Sequence, residues 1–269
     1  MSALPRRIVC LTEETTETLY RLGEQDRIVG ISGFTVRPPQ ARREKPRVSA
    51  FTSARIPRIL DLEPDLVLGF SDMQADIAAE LIRAGVAVHV FNQRTIAGIL
   101  DMIGLLGAMV GAADRAALLV GELQAGMTRV AADAAALPRR PRVYFEEWDD
   151  PLISAIGWVS ELVRVAGGED CFAELSASAG ATGRIIADPG EVVRRAPDII
   201  VGSWCGKRFR ARRVCERPGW QGIPAVRDGC LHEVKSALIL QPGPAALSDG
   251  LARLQAIIQA WAHDATVAP

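Results

Sequence analysis

The chain has 269 residues, of which 49% are hydrophobic, with a formal net charge of −1 and a pI near 6.3. That is enough apolar material for one large domain or two small ones, and the near-neutral charge excludes bulk attraction to nucleic acid or to an anionic membrane. No run of about 18 apolar residues occurs, so no membrane-inserting helix is expected.

The opening Met1-Ser2-Ala3-Leu4-Pro5-Arg6-Arg7 runs straight into a strand-like segment, without the charged, apolar and small-residue succession of a secretory signal. The expectation is a cytoplasmic protein, or a periplasmic one if a leader had been removed. From there strands are predicted near 7–11, 27–31, 65–69 and 86–91, with helices near 14–22, 55–62, 74–84 and 95–110. Such alternation predicts a mainly parallel sheet covered by helices on both faces. Residues 112–136 are rich in Ala and Leu and are stopped by Pro138 and Pro141. They predict a single helix of roughly 37 Å. Beyond it, strands near 142–146, 198–202 and 230–234 and helices near 157–166, 189–195 and 244–263 repeat the theme. Asp188-Pro189-Gly190-Glu191 has the order of a helix start, a capping Asp, a first-turn Pro and an acidic residue at the positive end of the dipole.

The two halves echo each other. Ile59-Leu60-Asp61-Leu62-Glu63-Pro64-Asp65-Leu66-Val67-Leu68-Gly69-Phe70 corresponds to Val192-Val193-Arg194-Arg195-Ala196-Pro197-Asp198-Ile199-Ile200-Val201-Gly202-Ser203-Trp204. Each is a helix stopped before proline, a buried strand, and an aromatic near the strand's carboxyl end. The segments at 7–11 and 142–146, and those at 85–90 and 229–234, extend the match. The predicted organisation is therefore an N-terminal α/β lobe over 1–111, a connecting long helix over 112–138 and a C-terminal α/β lobe over 139–269. The fold class is α/β, two Rossmann-like lobes with a cleft between them.

Five Trp, two Tyr and seven Phe make the aromatic positions informative. Phe34, Phe51, Phe70, Phe91, Phe145, Trp148, Trp158 and Trp204 fall at predicted strand ends or in the loops that follow. Ligands of open α/β sheets bind outside the carboxyl ends of the strands. Phe91 and Phe145, which belong to the strands proper, read as core, and the loop-borne tryptophans as candidates for a site. A flat ligand burying roughly 300 Å² would gain about 7 kcal/mol. Association costs about 4–15 kcal/mol, so such a pocket has to be preorganised.

Other features read more plainly. Glu146-Glu147-Trp148-Asp149-Asp150 is an acidic cluster suited to a hard cation or to acid–base chemistry, but it reads first as a solvated lip or as a partner for the basic loop Lys207, Arg208, Arg210, Arg212, Arg213 and Arg217. That loop is otherwise a solvated surface or an anion site. Cys10 and Cys230 read as buried thiols, and Cys205 and Cys215 flank the basic loop without the spacing of a metal site. His89 and His232 occupy equivalent strand positions and read as structural. None of the common nucleotide-binding or hydrolase motifs occurs. No catalytic or metal residues and no required cofactor are assigned.

Arg7-Ile8-Val9-Cys10-Leu11 with Thr15-Thr16-Glu17-Thr18-Leu19, Val29-Gly30-Ile31-Ser32 followed by Pro38-Pro39, and Pro64-Asp65-Leu66-Val67-Leu68, in this order and around a long central helix, resemble the cobalamin and iron-siderophore substrate-binding proteins of ABC importers. The resemblance covers about residues 6–262. It implies the class III periplasmic-binding-protein layout and a large planar ligand. Phe51 and Phe70 fall where a vitamin B12-binding member has pocket tryptophans, and Phe34 falls in a loop that carries a tyrosine there. The resemblance also implies that Trp158 borders the ligand and that Lys235, Ser236 and Leu238 follow the strand that closes the cleft. With Thr16, Trp148 and Trp204, these residues form the expected ligand-binding set.

The expected function is non-catalytic binding of a corrinoid such as cobalamin, in preference to a siderophore or haem. One alternative is a cytoplasmic enzyme that processes a corrinoid or metallophore, using Glu147 or Cys205. Another is an importer component for cobalamin or an iron siderophore with its signal removed. Family members dock on their permease through a carboxylate on each lobe. Asp72 or Asp76 fits that role in the first half, whereas the basic loop in the second half has the opposite sign and argues against ABC permease docking.

Overall fold

A computed structural model describes residues 4–264. In chain order its strands are β1 (Ile8–Cys10), β2 (Ile28–Ser32), β3 (Arg47–Ser49), β4 (Leu66–Phe70), β5 (Val88–Phe91), β6 (Arg142–Asp149), β7 (Leu152–Ser154), β8 (Glu169–Asp170), β9 (Ile199–Gly202) and β10 (Leu231–Glu233). The helices are α1 (Glu13–Arg21), α2 (Ala41–Glu44), α3 (Ile56–Leu60), α4 (Ala75–Arg83), α5 (Ile96–Met109), α6 (Ala113–Ala135), α7 (Gly157–Val165), α8 (Gly190–Arg195), α9 (Ala211–Cys215), α10 (Pro224–Arg227), α11 (Ser236–Ile239) and α12 (Leu251–His263).

The residues group into two compact units. The first runs up to Gln93, with Ala97–Leu123 and Pro242–Pro244, and the second holds Arg94–Ile96, Gln124–Gln241 and the chain from Ala245 on. The division falls inside α6, whereas the sequence reading set that helix apart as a connector. The first unit is built on a five-stranded sheet in the order β3-β2-β1-β4-β5, in which every pairing is parallel. Strands buried on both faces must be apolar throughout, and β4 is buried at all five positions. Val9, Leu11, Val48, Ile59, Val67, Ile77 and Leu81 form its core.

In the second unit β10, β9 and β6 are parallel neighbours, and the far edge of β6 is shared. β8 pairs in parallel with its start and β7 runs antiparallel along its end. The core contains Tyr144, Phe172, Ile200, Trp204, Phe209, Val214 and Trp220. Close packing leaves no room for side chains at certain glycines: a Cβ on Gly202 would lie 1.9 Å from the Phe209 ring.

The repeated Pro-Asp motif has one physical job in both units. Glu63 (φ 43°) and Ala196 (φ 44°) adopt the left-handed conformation that ends the helix just before the proline. The following aspartate then clamps the start of the neighbouring strand. Asp65 accepts the N–H groups of Arg6 and Arg7 at 2.7 and 2.9 Å, and Asp198 accepts that of Arg142 at 2.7 Å. The backbone N–H groups of Asp65 and Asp198 return bonds to the carbonyls of Arg7 and Arg142.

Candidate functional site at the carboxyl ends of the sheets

Because all strands of the first sheet are parallel, the segments after β1 to β5 emerge at one edge. Three of them bring apolar side chains to it. Phe34 follows β2 and is 58% exposed, Met73 follows β4 and is 57% exposed, and Val36 is also exposed. Phe51, after β3, is half-buried. Single exposed apolar side chains are ordinary, as Ile82, Leu105 and Leu118 are elsewhere; several at one sheet edge make a candidate contact surface.

Buried polar groups hold this rim in place. Gln74 is fully buried; its Oε1 accepts the Phe70 N–H at 2.9 Å and its Nε2 donates to the Phe51 carbonyl at 2.9 Å. One side chain thus ties the β3 loop to the end of β4, and a Cβ on Gly69 would lie 2.8 Å from its Oε1. The Phe34 loop is tied from the other side. Glu13 Oε1 accepts the N–H groups of Val36 and Arg37 at 3.0 and 2.9 Å, and the Arg37 guanidinium donates to Glu17 at 3.2 Å. Burial pushes the Glu13 carboxyl up to about 7, against the pull of those two N–H groups. Glu14, beside it, is also pushed up to about 7 by burial; Gly243 sits so close that a Cβ there would lie 2.6 Å from the Glu14 Cβ.

In the second unit the carboxyl ends of β6, β9 and β10 carry charge and tryptophan together. Glu146 is fully buried and accepts four bonds, from Arg217 at 2.5 and 2.9 Å, from the Trp204 indole at 2.9 Å and from the Tyr144 hydroxyl at 3.1 Å. Glu147 pairs with buried Arg184 at 2.5 and 3.1 Å. Asp149 pairs with Lys207 and Arg213, and the Lys207 ammonium lies 3.9 Å from the Trp148 ring centroid.

The expected residues therefore divide. Phe34 stands in solvent at the rim, and Phe51, Trp148, Ser236 and Leu238 are half-buried. Lys235 is exposed and pairs with Glu233 at 2.7 Å. Four stand in packed surroundings. Trp158 is 2% exposed and its indole donates to the Ile239 carbonyl at 2.8 Å, which makes it an internal anchor. Trp204 is 3% exposed, edge-on to Phe209 and bonded to Glu146. Thr16 is fully buried and its hydroxyl donates to the Thr12 carbonyl at 3.2 Å. Phe70 ends β4 as a core residue.

The acidic cluster is the partner of the basic loop: Glu146 and Asp149 take Arg217, Lys207 and Arg213, and Arg212 pairs within the loop with Glu216. Four of the loop's six basic side chains are thus ion-paired. Cys205 is exposed and Cys215 is half-buried, and burial pushes Cys10 and Cys171 up to about 12. Sequence reasoning missed Met73, Val36 and Gln74. Met73 lies three residues past the aromatic strand end Phe70, and Ser71, two residues before it, has φ 64°.

The comparisons with known proteins agree on the architecture. The chain is 27% identical over 249 residues to a cobalamin-binding protein of Halobacterium salinarum, covering 89% of this chain and 66% of that relative, just under two thirds of its length. Among solved structures it resembles a periplasmic heme binding protein from Pseudomonas aeruginosa, with a TM-score of 0.82, 24% identity and coverage of 96% of this chain and 94% of that one. It also resembles the periplasmic vitamin B12 binding protein of Vibrio cholerae, with a TM-score of 0.77, 21% identity and coverage of 97% and 99%. These structures share the two-sheet, class III binding-protein fold. The family model described as periplasmic binding protein matches residues 8–238, and the chain belongs to that family, whose members bind solutes and are not enzymes.

Proposed function

We propose that this protein binds a corrinoid without altering it, using the apolar rim at the carboxyl edge of its first sheet. The observation that carries this reading is the exposure of Phe34, Val36 and Met73 on loops fixed by buried Gln74 and Glu13. Preorganisation of that kind lowers the entropic cost of association, which a flat apolar ligand repays through buried area.

The placement of the imidazoles and phenols favours a corrinoid over haem. Haem iron is held by His, Tyr, Cys or Met from the protein, and of these types the rim residues named above include Met73 alone. Here the Tyr20 hydroxyl donates to Glu44 at 2.6 Å, and Tyr144 is buried beneath Glu146. His89 and His232 lie inside strands, and His263 ends α12. A ligand whose metal brings its own axial groups suits such a rim. The name of the Halobacterium salinarum relative points the same way.

Phe34→Ala and Met73→Ala test the reading in calorimetric titrations with cobalamin. Each is expected to weaken binding about tenfold, the value of one large apolar side chain taken out of water, with little change in melting temperature. Unchanged affinity in both variants would remove the rim from the site.

A further inference from the structure

A cavity of about 460 Å³ opens at the carboxyl end of β3, wholly within the first unit, and its wall includes Gly33, Arg47, Ser49, Ser53, Arg55 and Arg58. Its size is that of a small-ligand site. Three observations give it a chemical character. All three guanidinium groups are exposed, and among the described residues no carboxylate pairs with them, whereas four basic side chains of the 207–217 loop are ion-paired. The buried Ser49 hydroxyl has no hydrogen-bond partner. The backbone around the cavity is fixed: Gly33 N–H donates to the Ser49 carbonyl at 2.7 Å, Ala50 N–H to Ser53 at 2.7 Å and Arg55 N–H to Val48 at 2.9 Å.

Three cationic forks and an unused hydroxyl on a rigid loop recognise an oxyanion, and arginine matches phosphate oxygens in a two-pronged geometry that lysine lacks. Leaving Ser49 without a partner has a desolvation cost that a ligand oxygen removes. Phe51 stands in the same loop, between Ala50 and Ser53, so an apolar surface and an anion subsite are adjacent in sequence.

We propose that this cavity is a phosphate subsite that takes the phosphodiester of a corrinoid's nucleotide loop. The inference rests on the corrinoid reading above. Cobalamin carries that phosphodiester and cobinamide lacks it, so paired titrations separate the two ideas. In Arg47→Ala, Arg55→Ala and Arg58→Ala, cobalamin binding is expected to weaken roughly tenfold for each arginine removed, the value of one charge-assisted hydrogen bond, while cobinamide binding stays at the wild-type level. Added salt should weaken cobalamin more than cobinamide. Equal effects on both ligands, or none on either, would overturn the subsite and leave the corrinoid reading standing. If the wild-type protein binds neither corrinoid, that reading and the phosphodiester assignment fail together. Inorganic phosphate then decides the remainder: a rise in melting temperature that the triple variant loses sustains an oxyanion site, and no rise ends it.

Discussion

Burial of carboxylates is the residue-scale feature that most shapes this molecule. Glu14 accepts the Thr12 hydroxyl at 2.5 Å on one oxygen, and its other oxygen has no partner. Burial raises its carboxyl from 4.5 to about 7, so the folded protein holds a proton that the unfolded chain has already released. The contribution to stability is therefore fully present below about pH 4.5 and is lost as pH rises through about 7. Glu14→Gln, which cannot ionise, should stabilise the protein by about 3 kcal/mol at about pH 8 and by much less at about pH 4, as read from urea unfolding. A shift of equal size at both pH values would contradict this account. Glu146 is the opposite case, a buried carboxylate with four donors. Glu146→Ala strands the Arg217 charge and is expected to cost about 3–5 kcal/mol in the same assay. These partners lie 58 and 71 residues away in sequence for Trp204 and Arg217, which is why the acidic cluster was legible as a group but its wiring was not. The same limit applies at Trp158 and Trp204, whose indole acceptors lie 81 and 58 residues away. A tryptophan after a strand looks like a ligand platform until the internal acceptor of its N–H is known.

At the scale of elements, the duplicated Pro-Asp motif was legible because it combines two local rules, a helix that stops before proline and a strand apolar on both faces. Its clamp makes a prediction. Asp198→Ala removes the acceptor of the Arg142 N–H and should destabilise by about 1–2 kcal/mol. Ala196→Gly, at φ 44°, relieves left-handed strain and should stabilise by up to about 1 kcal/mol. Thermal melts of the two variants, moving in opposite directions, check both. Elements that the sequence hid are the short edge pieces: β3 offers only Val48 as an apolar residue, and β7 and β8 are held by pairing along β6. β6 itself runs on through Glu147 and Asp149, charges that read as a strand's end but are neutralised there by Arg184 and Lys207.

At the scale of the whole molecule, the alternation of strand and helix was enough to give two parallel-centred sheets, because burying both faces of a parallel sheet demands helices on each. Parallel order also places every loop that follows a strand of the first sheet at one edge, so Phe34 and Phe51 could be assigned to that rim from sequence while Met73 and the tie made by Gln74 could not. What the rim recognises is the central claim, and a visible-absorption titration with cobalamin alongside haem tests it most directly. The account predicts saturable one-to-one binding of cobalamin, with haem weaker and its spectrum free of the shift that a protein axial ligand produces. Absence of any response to cobalamin at tens of micromolar, together with tight haem binding that carries an axial-ligand spectrum, would contradict it.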